Sequence, residues 1–600
     1  LPGVNFINNL AGTFSASLSI GQWPSGASTY LKGLLPSWLV CFDPIASARY
    51  FEGGGEPIWS AYIGPIISWS LIFISIGLVG LSLAFLFLGP ELFETEHLPF
   101  PYSVPTRYVV NNVYTEDPNK FGDLFFNIKQ HKIFWVGVLI GFLLNAPYVI
   151  AQIVPAIPLG AMIGGGYGAI PLSAVLPGLT PLIQSIFPNA QYTAPMVSIA
   201  IIVTFLLLPF ESLTTLLFWI FVVYWIYPGV ITRAGILAPG ASVWWSWPIP
   251  LAFLNPVSAN VGLGLIVLFM IRGRIKKAFS SFKQDYEING MSVRTLLSLG
   301  IVGAILFLLI WIAAGTDPIS AVLLWLVLLI INIGGTAMLG YIHDYGGCPG
   351  YNAWKYVWPI SSGIGLLPTT APSTSANAAA FGYMVATSGT CVGVLGNNNS
   401  FNSSAVYLNL FVIGADTKVD LRRLLLYALT TLVFLAPFAF FFDAWFNSHV
   451  GISNTSQSSM DMFWWNPASA ALGLGVQSMT WSAGRMPIWQ QAVGQLIVAL
   501  FVFASYFISA RFPVLAWIFN PVGIANAAGI DTGWTGWFNA VVFGLIAKYI
   551  LNRTVGPRRA MEITIEFVAG IMAGIGLLYL VLGAYVFFTI SLPNLGLLWK

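Results

Sequence analysis

One uninterrupted apolar stretch decides the class of fold: Trp59–Leu88, WSAYIGPIISWSLIFISIGLVGLSLAFLFL. It contains no Asp, Glu, Lys or Arg. A helix crosses the hydrocarbon core of a bilayer with about 20 predominantly apolar residues, because its backbone polar groups pair within the helix. This stretch is therefore predicted to be a transmembrane helix.

Similar stretches recur along the rest of the chain. The other clear candidates are Ile133–Ile153, Ala252–Ile271, Thr295–Ala314, Ile319–Tyr341, Leu424–Phe442, Ile488–Ile508, Trp534–Ile550 and Met561–Ile590. Short or interrupted candidates are Val197–Pro228, Ala376–Leu395, Ala405–Ala415 and Phe512–Ala528. We predict an all-α, polytopic integral membrane helix bundle of roughly 10–14 segments, some broken or re-entrant. It forms a single transmembrane domain over residues 1–600.

The composition indicates the same class of protein. Hydrophobic residues make up 57% of the chain and charged residues 8%, against about 25% charged in soluble domains. The net charge of +3 is too small to indicate nucleic-acid binding. The three cysteines and four histidines show no metal-ligand spacing, so we expect no metal and no cofactor. The absence of HExxH and GxSxG motifs argues against an enzyme.

Lys and Arg concentrate in four loops, which are therefore predicted to be cytoplasmic. These loops are 91–132, 272–294, 416–423 and 548–559. The sequons at Asn398, Asn402 and Asn454 then lie outside and are glycosylation candidates. The outside loops have few titratable groups, so they lose few interactions in acid. We interpret this pattern as that of an archaeal cell-membrane protein facing an acidic exterior.

One apolar stretch, Val197–Pro228, conflicts with this orientation. The chain must cross an odd number of times between Met196 and Arg272, which two simple spans do not allow. Pro209 removes a helix hydrogen bond, and Glu211 is expensive at membrane depth. We therefore interpret the stretch as a broken helix or re-entrant hairpin with Glu211 at its tip.

Asn-Pro pairs precede three apolar stretches, at Asn255, Asn466 and Asn520. The first two begin similar segments, NPVSANVGLG and NPASAALGLG. Asn is a favourable N-cap and Pro fits the first helical turn, so three similarly capped helices explain the pattern. The alternative is an internal two-fold repeat, with halves of about 1–290 and 291–600, of the kind that transporters use.

Several segments resemble an uncharacterised prokaryotic membrane family that is placed beside the oligopeptide transporter (OPT) superfamily. Phe93-Glu-Thr-Glu-His-Leu-Pro-Phe-Pro101 is similar to the family's W-x-E-x-E-x-L-x-F-P signature. Tyr341–Pro349 lies where the family has an R-x-x-x-E-x-G-x-P turn, and Arg511–Pro513 is similar to part of its closing segment. The similarity extends from about Tyr50 to Ala584. It implies a transporter-like helical fold with two related halves, driven by an ion gradient.

Glu211 is the first candidate for coupling. A carboxyl group in a low-dielectric helix break favours its neutral form, so it is suited to taking up and releasing a proton. The alternative is that Glu211 binds backbone groups and repairs the break.

The remaining candidates are acids and a histidine near helix ends. Glu94 and Glu96 line a cytoplasmic vestibule or are solvated loop carboxylates. His343 and Asp344 have a proton-relay or cation-binding role, or they form an ordinary interfacial turn. Glu562 and Glu566, one turn apart, are predicted to form a structural ion pair with Lys548 on the preceding helix.

We therefore expect a secondary active transporter that takes up peptides or another small organic solute with protons. Its partners are the lipid bilayer, the solute and protons, with a homo-oligomer or a membrane complex as a further arrangement. The alternative function is a non-transporting structural subunit or anchor of a larger membrane complex. A polar cavity near mid-membrane favours the transporter, and a solid apolar interior favours the anchor.

Overall fold

The computed structural model describes most of the helical regions of the chain. The described residues are 14–22 without 16, 31–113 without 102, 122–153, 170–171, 176–191, 193, 196–197, 202–203, 205–241, 243, 249–253, 256–341, 353–368, 375–389, 403–454, 488–529, 537–586 and 588–589.

Helices dominate these residues. In the first half they are α1 (Pro44–Glu52), α2 (Trp59–Thr95), α3 (Val104–Val113), α4 (Asp123–Phe126), α5 (Lys132–Ile153), α6 (Leu179–Ile186), α7 (Phe210–Arg233) and α8 (Pro256–Ser280). In the second half they are α9 (Val293–Ala313), α10 (Pro318–Tyr341), α11 (Trp354–Gly363), α12 (Ala376–Gly389), α13 (Ser403–Asp416), α14 (Leu421–Val450), α15 (Ile488–Arg511), α16 (Ala516–Phe519), α17 (Pro521–Gly529), α18 (Trp537–Val555) and α19 (Pro557–Val586).

Short 3-10 turns and two small antiparallel strand pairs complete the described secondary structure. The turns are Ile20–Gln22, Leu251–Phe253, Ile452–Asn454 and Pro513–Leu515. The strands are β1 (Ile170–Pro171) with β2 (Met196–Val197), and β3 (Glu287–Ile288) with β4 (Met291–Ser292).

Eight of the described helices are long and apolar enough to cross a membrane. They are α2, α7, α8, α9, α10, α14, α15 and α19. Each of the nine clear candidates from the sequence is helical over most of its described residues, and α5 and α18 are the two outside the eight. The all-α prediction is confirmed, and the helices fit a multi-pass membrane protein.

Short polar side chains cap several helix starts. Asp43 Oδ1 accepts a hydrogen bond from the Ala46 backbone N–H at 2.8 Å, in the first turn of α1. Asp420 Oδ1 accepts from the Arg422 N–H at 3.0 Å, at the start of α14. Each cap satisfies a backbone donor that the first helical turn leaves unpaired.

Helix α2 lies at the centre of the largest apolar core. It packs against α9, α13 and α14, and its second half, Leu83–Thr95, is π-helical around Pro90. Gly77 faces the Leu432 side chain of α14, and Gly89 faces Phe411 of α13. A Cβ atom added at either glycine would come within 2.5 Å of these side chains. Small residues thus allow the neighbouring helices to approach closely.

A second core joins α7, α8, α15, α17 and α18. Helix α8 contributes buried residues to both cores. It also packs against α10. At that crossing Gly264 faces the Ile330 backbone and Gly334 faces the Asn260 backbone. The order of these contacts shows that α8 and α10 run antiparallel.

Helices α5 and α19 pack closely against each other. Gly137 and Gly141 lie one turn apart on α5, and Gly570 and Gly574 lie one turn apart on α19. A Cβ atom at any of the four would meet backbone atoms of the opposite helix, at 2.6 Å in the case of Gly137. The two backbones therefore pack directly on each other, as small-xxx-small motifs allow in membranes.

The loop 91–132 contacts two of the other three Lys- and Arg-rich loops. Arg107 Nη1 lies 3.4 Å from Asp416 Oδ1, and Arg274 pairs with Glu91. The loops 91–132, 272–294 and 416–423 therefore lie at the same end of the bundle. This arrangement agrees with a location of the three loops on one side of the membrane. Their assignment to the cytoplasmic side stays a prediction.

Candidate functional site

The most unusual feature of the interior is a set of buried amide side chains. Asn260 on α8 and Gln495 on α15 have fully buried side chains. Neither the nitrogen nor the oxygen of either amide has a hydrogen-bond partner among the described residues. Leaving such a group buried and unpaired costs about 1–3 kcal/mol. A native structure rarely contains one without a bound water, ion or ligand.

The two amides lie on helices that pack side by side. Gly262 of α8 faces the Ala499 carbonyl of α15 at 2.5 Å, and Gly494 of α15 faces the Phe253 ring at 2.5 Å, both measured from an added Cβ atom. Phe253 belongs to the turn Leu251–Phe253 that precedes α8, so α15 packs against both α8 and this turn. Asn260 and Gln495 each lie within two turns of the contacts.

A third buried amide lies on the short helix α17. Asn526 is 4% exposed, and its Nδ2 has no partner among the described residues. Helix α17 packs against both α8 and α15. Asn260, Gln495 and Asn526, the interior amides, are therefore carried by three mutually packed helices.

The chain is interrupted immediately before α17. The ambiguous stretch Phe512–Ala528 forms a 3-10 turn, a short helix and then α17. Asn520 Oδ1 accepts hydrogen bonds from the N–H groups of Val522 at 3.0 Å and Gly523 at 3.1 Å. The predicted N-cap role of Asn520 is confirmed, so its amide is occupied by the helix.

The helix break predicted near Pro209 is present. Residues 205–208 end in a turn, and α7 begins at Phe210. The Lys548 ammonium group of α18 donates to the carbonyl oxygens of Leu206, at 3.2 Å, and Leu208. A cation rather than the predicted carboxyl group therefore binds the unpaired carbonyls of the break.

Glu211 lies in the first turn of α7, directly after the break. Its side chain is exposed at the surface of the described bundle and is not enclosed by protein. It lies close enough to Lys548 for the two opposite charges to attract. The role of Glu211 in coupling stays a prediction, and the enclosed setting expected for it is not observed.

Glu94 and Glu96 are exposed at the end of α2. Glu94 Oε1 accepts from Asn289 Nδ2 at 2.8 Å, at the β3–β4 turn. Glu91, one turn earlier, is much less exposed and forms the ion pair with Arg274. Glu91 follows Pro90 directly at the start of the predicted loop 91–132, so its sequence position did not indicate a buried ion pair.

The predicted ion pairing of Lys548 with Glu562 and Glu566 is wrong. Glu562 pairs with Arg559 at 2.8 Å. Glu566 Oε1 accepts from the Phe134 N–H at 3.2 Å and so caps α5. The close α5–α19 packing brings Glu566 to this helix start, and helix packing is not visible in the sequence.

A hydrogen-bonded chain of polar side chains lies beside this cap. His131 is buried, with its Nδ1 2.9 Å from Tyr108 Oη and its Nε2 3.1 Å from Asp123 Oδ2. Burial, and then the charge of Glu566, raise the pKa of Tyr108 well above its usual value. The arrangement links α3, α4 and the start of α5, so it serves the packing of this corner.

Sequence reasoning also missed Asp443. It lies on α14, one residue beyond the predicted span Leu424–Phe442, and α14 continues to Val450. Asp443 Oδ2 accepts from Tyr50 Oη at 2.7 Å and from Ser15 Oγ at 3.4 Å, and Oδ1 accepts from Asn447 Nδ2 at 3.1 Å. An acid on the inward face of a spanning helix was the signal that would have identified it.

Several predicted residues lie outside the described part of the chain. They are Asn255, His343, Asp344, Asn398, Asn402 and Asn466. Helix α8 nevertheless begins at Pro256, as the Asn-Pro pattern predicts. Asn454 is the last residue of the turn Ile452–Asn454 that follows α14.

No group of three or more His, Cys, Asp or Glu side chains among the described residues is arranged to hold a metal ion. Cys41 is buried, and burial raises the pKa of its thiol to about 11. This thiol is therefore protonated and unreactive while it remains covered.

Comparison with protein families identifies the chain at the level of a family. Residues 1–594 match a family of unknown function, DUF6785. The match spans nearly the whole chain, so the protein belongs to this family. No curated protein matches the sequence.

Proposed function

We propose that this protein is a secondary active transporter that moves a small polar organic solute, such as a peptide, across the cell membrane together with protons. The observation that supports this function best is the pair of unpartnered, fully buried amides, Asn260 and Gln495. Amides supply both donors and acceptors, which is the chemistry that recognises peptide bonds and other polar uncharged groups.

The helices that carry these amides suit an internal binding site. Helix α17 starts within a discontinuous stretch and is nine residues long. Discontinuous helices in transporters place their polar ends at the solute. Unpaired backbone and amide groups are tolerated at membrane depth where they line a cavity that water or solute enters.

The break at Leu206–Pro209 supports the same proposal. Residues 205–208 follow the direction of α18, because Phe205 lies against Gly544 and Leu208 against Lys548. We propose that this segment enters the membrane from the outside and turns back into α7, as a re-entrant hairpin. The odd number of crossings expected between Met196 and Arg272 follows from that arrangement, since the hairpin adds no net crossing.

Uptake measurements with Gln495→Leu test the role of the amides. Proteoliposomes under an inward proton gradient are offered radiolabelled dialanine and a panel of other dipeptides. Removal of one hydrogen bond to a solute costs about 1 kcal/mol, so uptake at low solute concentration falls several-fold. Thermal stability stays unchanged or rises, because the variant removes a buried unsatisfied amide.

Gln490→Leu is the matched control, since Gln490 lies on the same helix and is only half-buried. It should leave uptake unchanged. If wild-type and Gln495→Leu proteins take up the same amount of solute, the amides do not form the site. If no probe is taken up and Gln495→Leu is simply more stable, the structural-anchor alternative is favoured.

Glu211→Gln tests the coupling prediction separately. Proton-driven uptake should be lost in this variant, while solute exchange at equal pH on both sides should persist. Unchanged proton-driven uptake would show that Glu211 is not the coupling group.

A further inference from the structure

Asp443 is a carboxyl group on a spanning helix with only neutral partners. Its hydrogen-bond donors are Tyr50, Ser15 and Asn447. No Lys, Arg or His side chain forms an ion pair with it among the described residues. A carboxylate held away from water by neutral donors alone is a group that a proton neutralises favourably.

The other titratable groups near this position belong to α1, α2 and the end of α14. Tyr50 stays a donor, because burial and then the charge of Asp443 raise its pKa well above the usual value. Tyr62 donates to the Ala46 carbonyl at 2.6 Å, and His449 faces Glu56 at 3.7 Å. The charged or titratable groups on or near these elements are Cys41, Asp43, Arg49, Tyr50, Glu52, Glu56, Tyr62 and His449.

Asp443 also connects α14 to the amino-terminal helix α1. Tyr50 belongs to α1, and Asn447 Nδ2 donates to Tyr50 Oη at 3.1 Å, which closes a ring of three side chains. Next to this ring the N–H of Gly54 donates to the His449 carbonyl at 2.9 Å. The ionised carboxylate is thus the acceptor at the centre of the α1–α14 contact.

We propose that Asp443 is a proton-binding site, and that its protonation releases α1 from the end of α14. The proton comes from the aqueous phase and forms an O–H bond at the carboxyl group, which becomes neutral. A neutral carboxyl group gains one O–H donor, and its remaining oxygen accepts the Tyr50 hydroxyl only as a neutral acceptor. The charge-assisted hydrogen bonds that hold α1 are weakened to neutral ones.

The participation of this proton in solute movement rests on the proposed transport function, whereas the site itself does not. In that cycle Asp443, rather than Glu211 alone, carries the coupling proton. Helix α1 then acts as the element whose position reports whether the proton is bound.

Cys41 provides a readout that is independent of transport. Its side chain is 2% exposed, and it precedes the Asp43 cap of α1 by two residues. Release of α1 should expose this thiol. The experiment measures the rate at which N-ethylmaleimide labels Cys41 in the full-length protein with Cys348→Ser and Cys391→Ser, in detergent, from neutral to acidic pH.

All variants are compared at the same pH, so the intrinsic pH dependence of thiol labelling cancels. At neutral pH Cys41 should be labelled about tenfold faster in Asp443→Asn than in the wild type. A tenfold change in the exposed population corresponds to about 1.4 kcal/mol. At acidic pH the two rates should converge. Tyr50→Phe, which keeps the carboxyl group and loses one donor, should label faster than the wild type at neutral pH.

His449→Gln is the control for the other titratable group at this end of α14, and it should keep the wild-type pH dependence. Equal rates for Asp443→Asn and wild type at neutral pH would overturn the proposal, as would loss of the pH dependence in His449→Gln. If the labelling results hold and Asp443→Asn does not alter uptake, the proton site stands and its place in transport is wrong.

Discussion

Adding a single methyl group to the α5–α19 interface should destabilise the protein measurably. The change is Gly574→Ala on α19. An added Cβ atom at Gly574 meets the Val138 carbonyl of α5. Because the obstructing atoms belong to a helix backbone, no flexible side chain can move aside.

The expected size follows from this geometry. Overpacking of a tight interface costs about 1–3 kcal/mol, and alanine regains up to about 1 kcal/mol through its higher helix propensity. With the full propensity gain, a net loss of up to about 2 kcal/mol is therefore expected. Gly570→Ala should behave in the same way, because its Cβ atom would meet the Phe134 carbonyl of α5.

Gly576→Ala is the matched control on the same helix. Gly576 is exposed, and an added Cβ atom there has no neighbour within 4 Å. The assay is reversible unfolding in mixed micelles, followed by circular dichroism. The control should be neutral or slightly stabilised.

If Gly574→Ala and Gly576→Ala have the same stability, the two helix backbones do not touch as described. A stable Gly574→Ala with a destabilised Gly576→Ala would place the interface on the other face of α19. Either outcome would refute the packing argument.

Two further predictions concern polar groups outside the proposed solute site. Lys548→Met should lower the free energy of unfolding by about 1–3 kcal/mol, because the Leu206 and Leu208 carbonyls lose their donor. The control, Arg553→Met, lies at an exposed position on the same helix and should change the free energy of unfolding by less than about 0.5 kcal/mol. Equal losses in the two variants would contradict the role assigned to Lys548. Asp285→Asn should lower the melting temperature near neutral pH, because the Ser292 hydroxyl and then the Arg294 N–H hold the pKa of Asp285 below its ordinary value of 3.8. This stabilisation is present above the ordinary pKa and disappears as the pH falls through the lowered pKa. A difference in melting temperature between the two proteins that persists in strong acid would refute this prediction.

The positions of the spanning helices could be predicted because hydrophobicity is a local property of the sequence. Trp59–Leu88 lies in a helix, and the other eight clear candidates are helical over most of their described residues. The cap at Asn520 and the break at Pro209 were equally predictable, since both depend on the backbone chemistry of adjacent residues.

Individual site residues were predicted less well. Glu211 attracted attention as an acid in an apolar run, yet its side chain is exposed and Lys548 binds the break. Asp443 was overlooked because its partners Ser15 and Tyr50 lie about 400 residues away in the chain. The interior amides Asn260 and Gln495 have no sequence signature, because an amide is common on exposed helix faces as well.

The amino-acid sequence by itself determined that this chain is a bundle of apolar helices, where most of them begin and end, and where one of them breaks. Hydropathy, proline and capping residues act over a few neighbouring positions, so they can be recognised without a structure. Only the tertiary structure decided which helices touch and which polar groups are left without partners. Those properties depend on contacts between residues far apart in the chain, such as Gly574 with Val138 and Asp443 with Tyr50, and no local pattern encodes them.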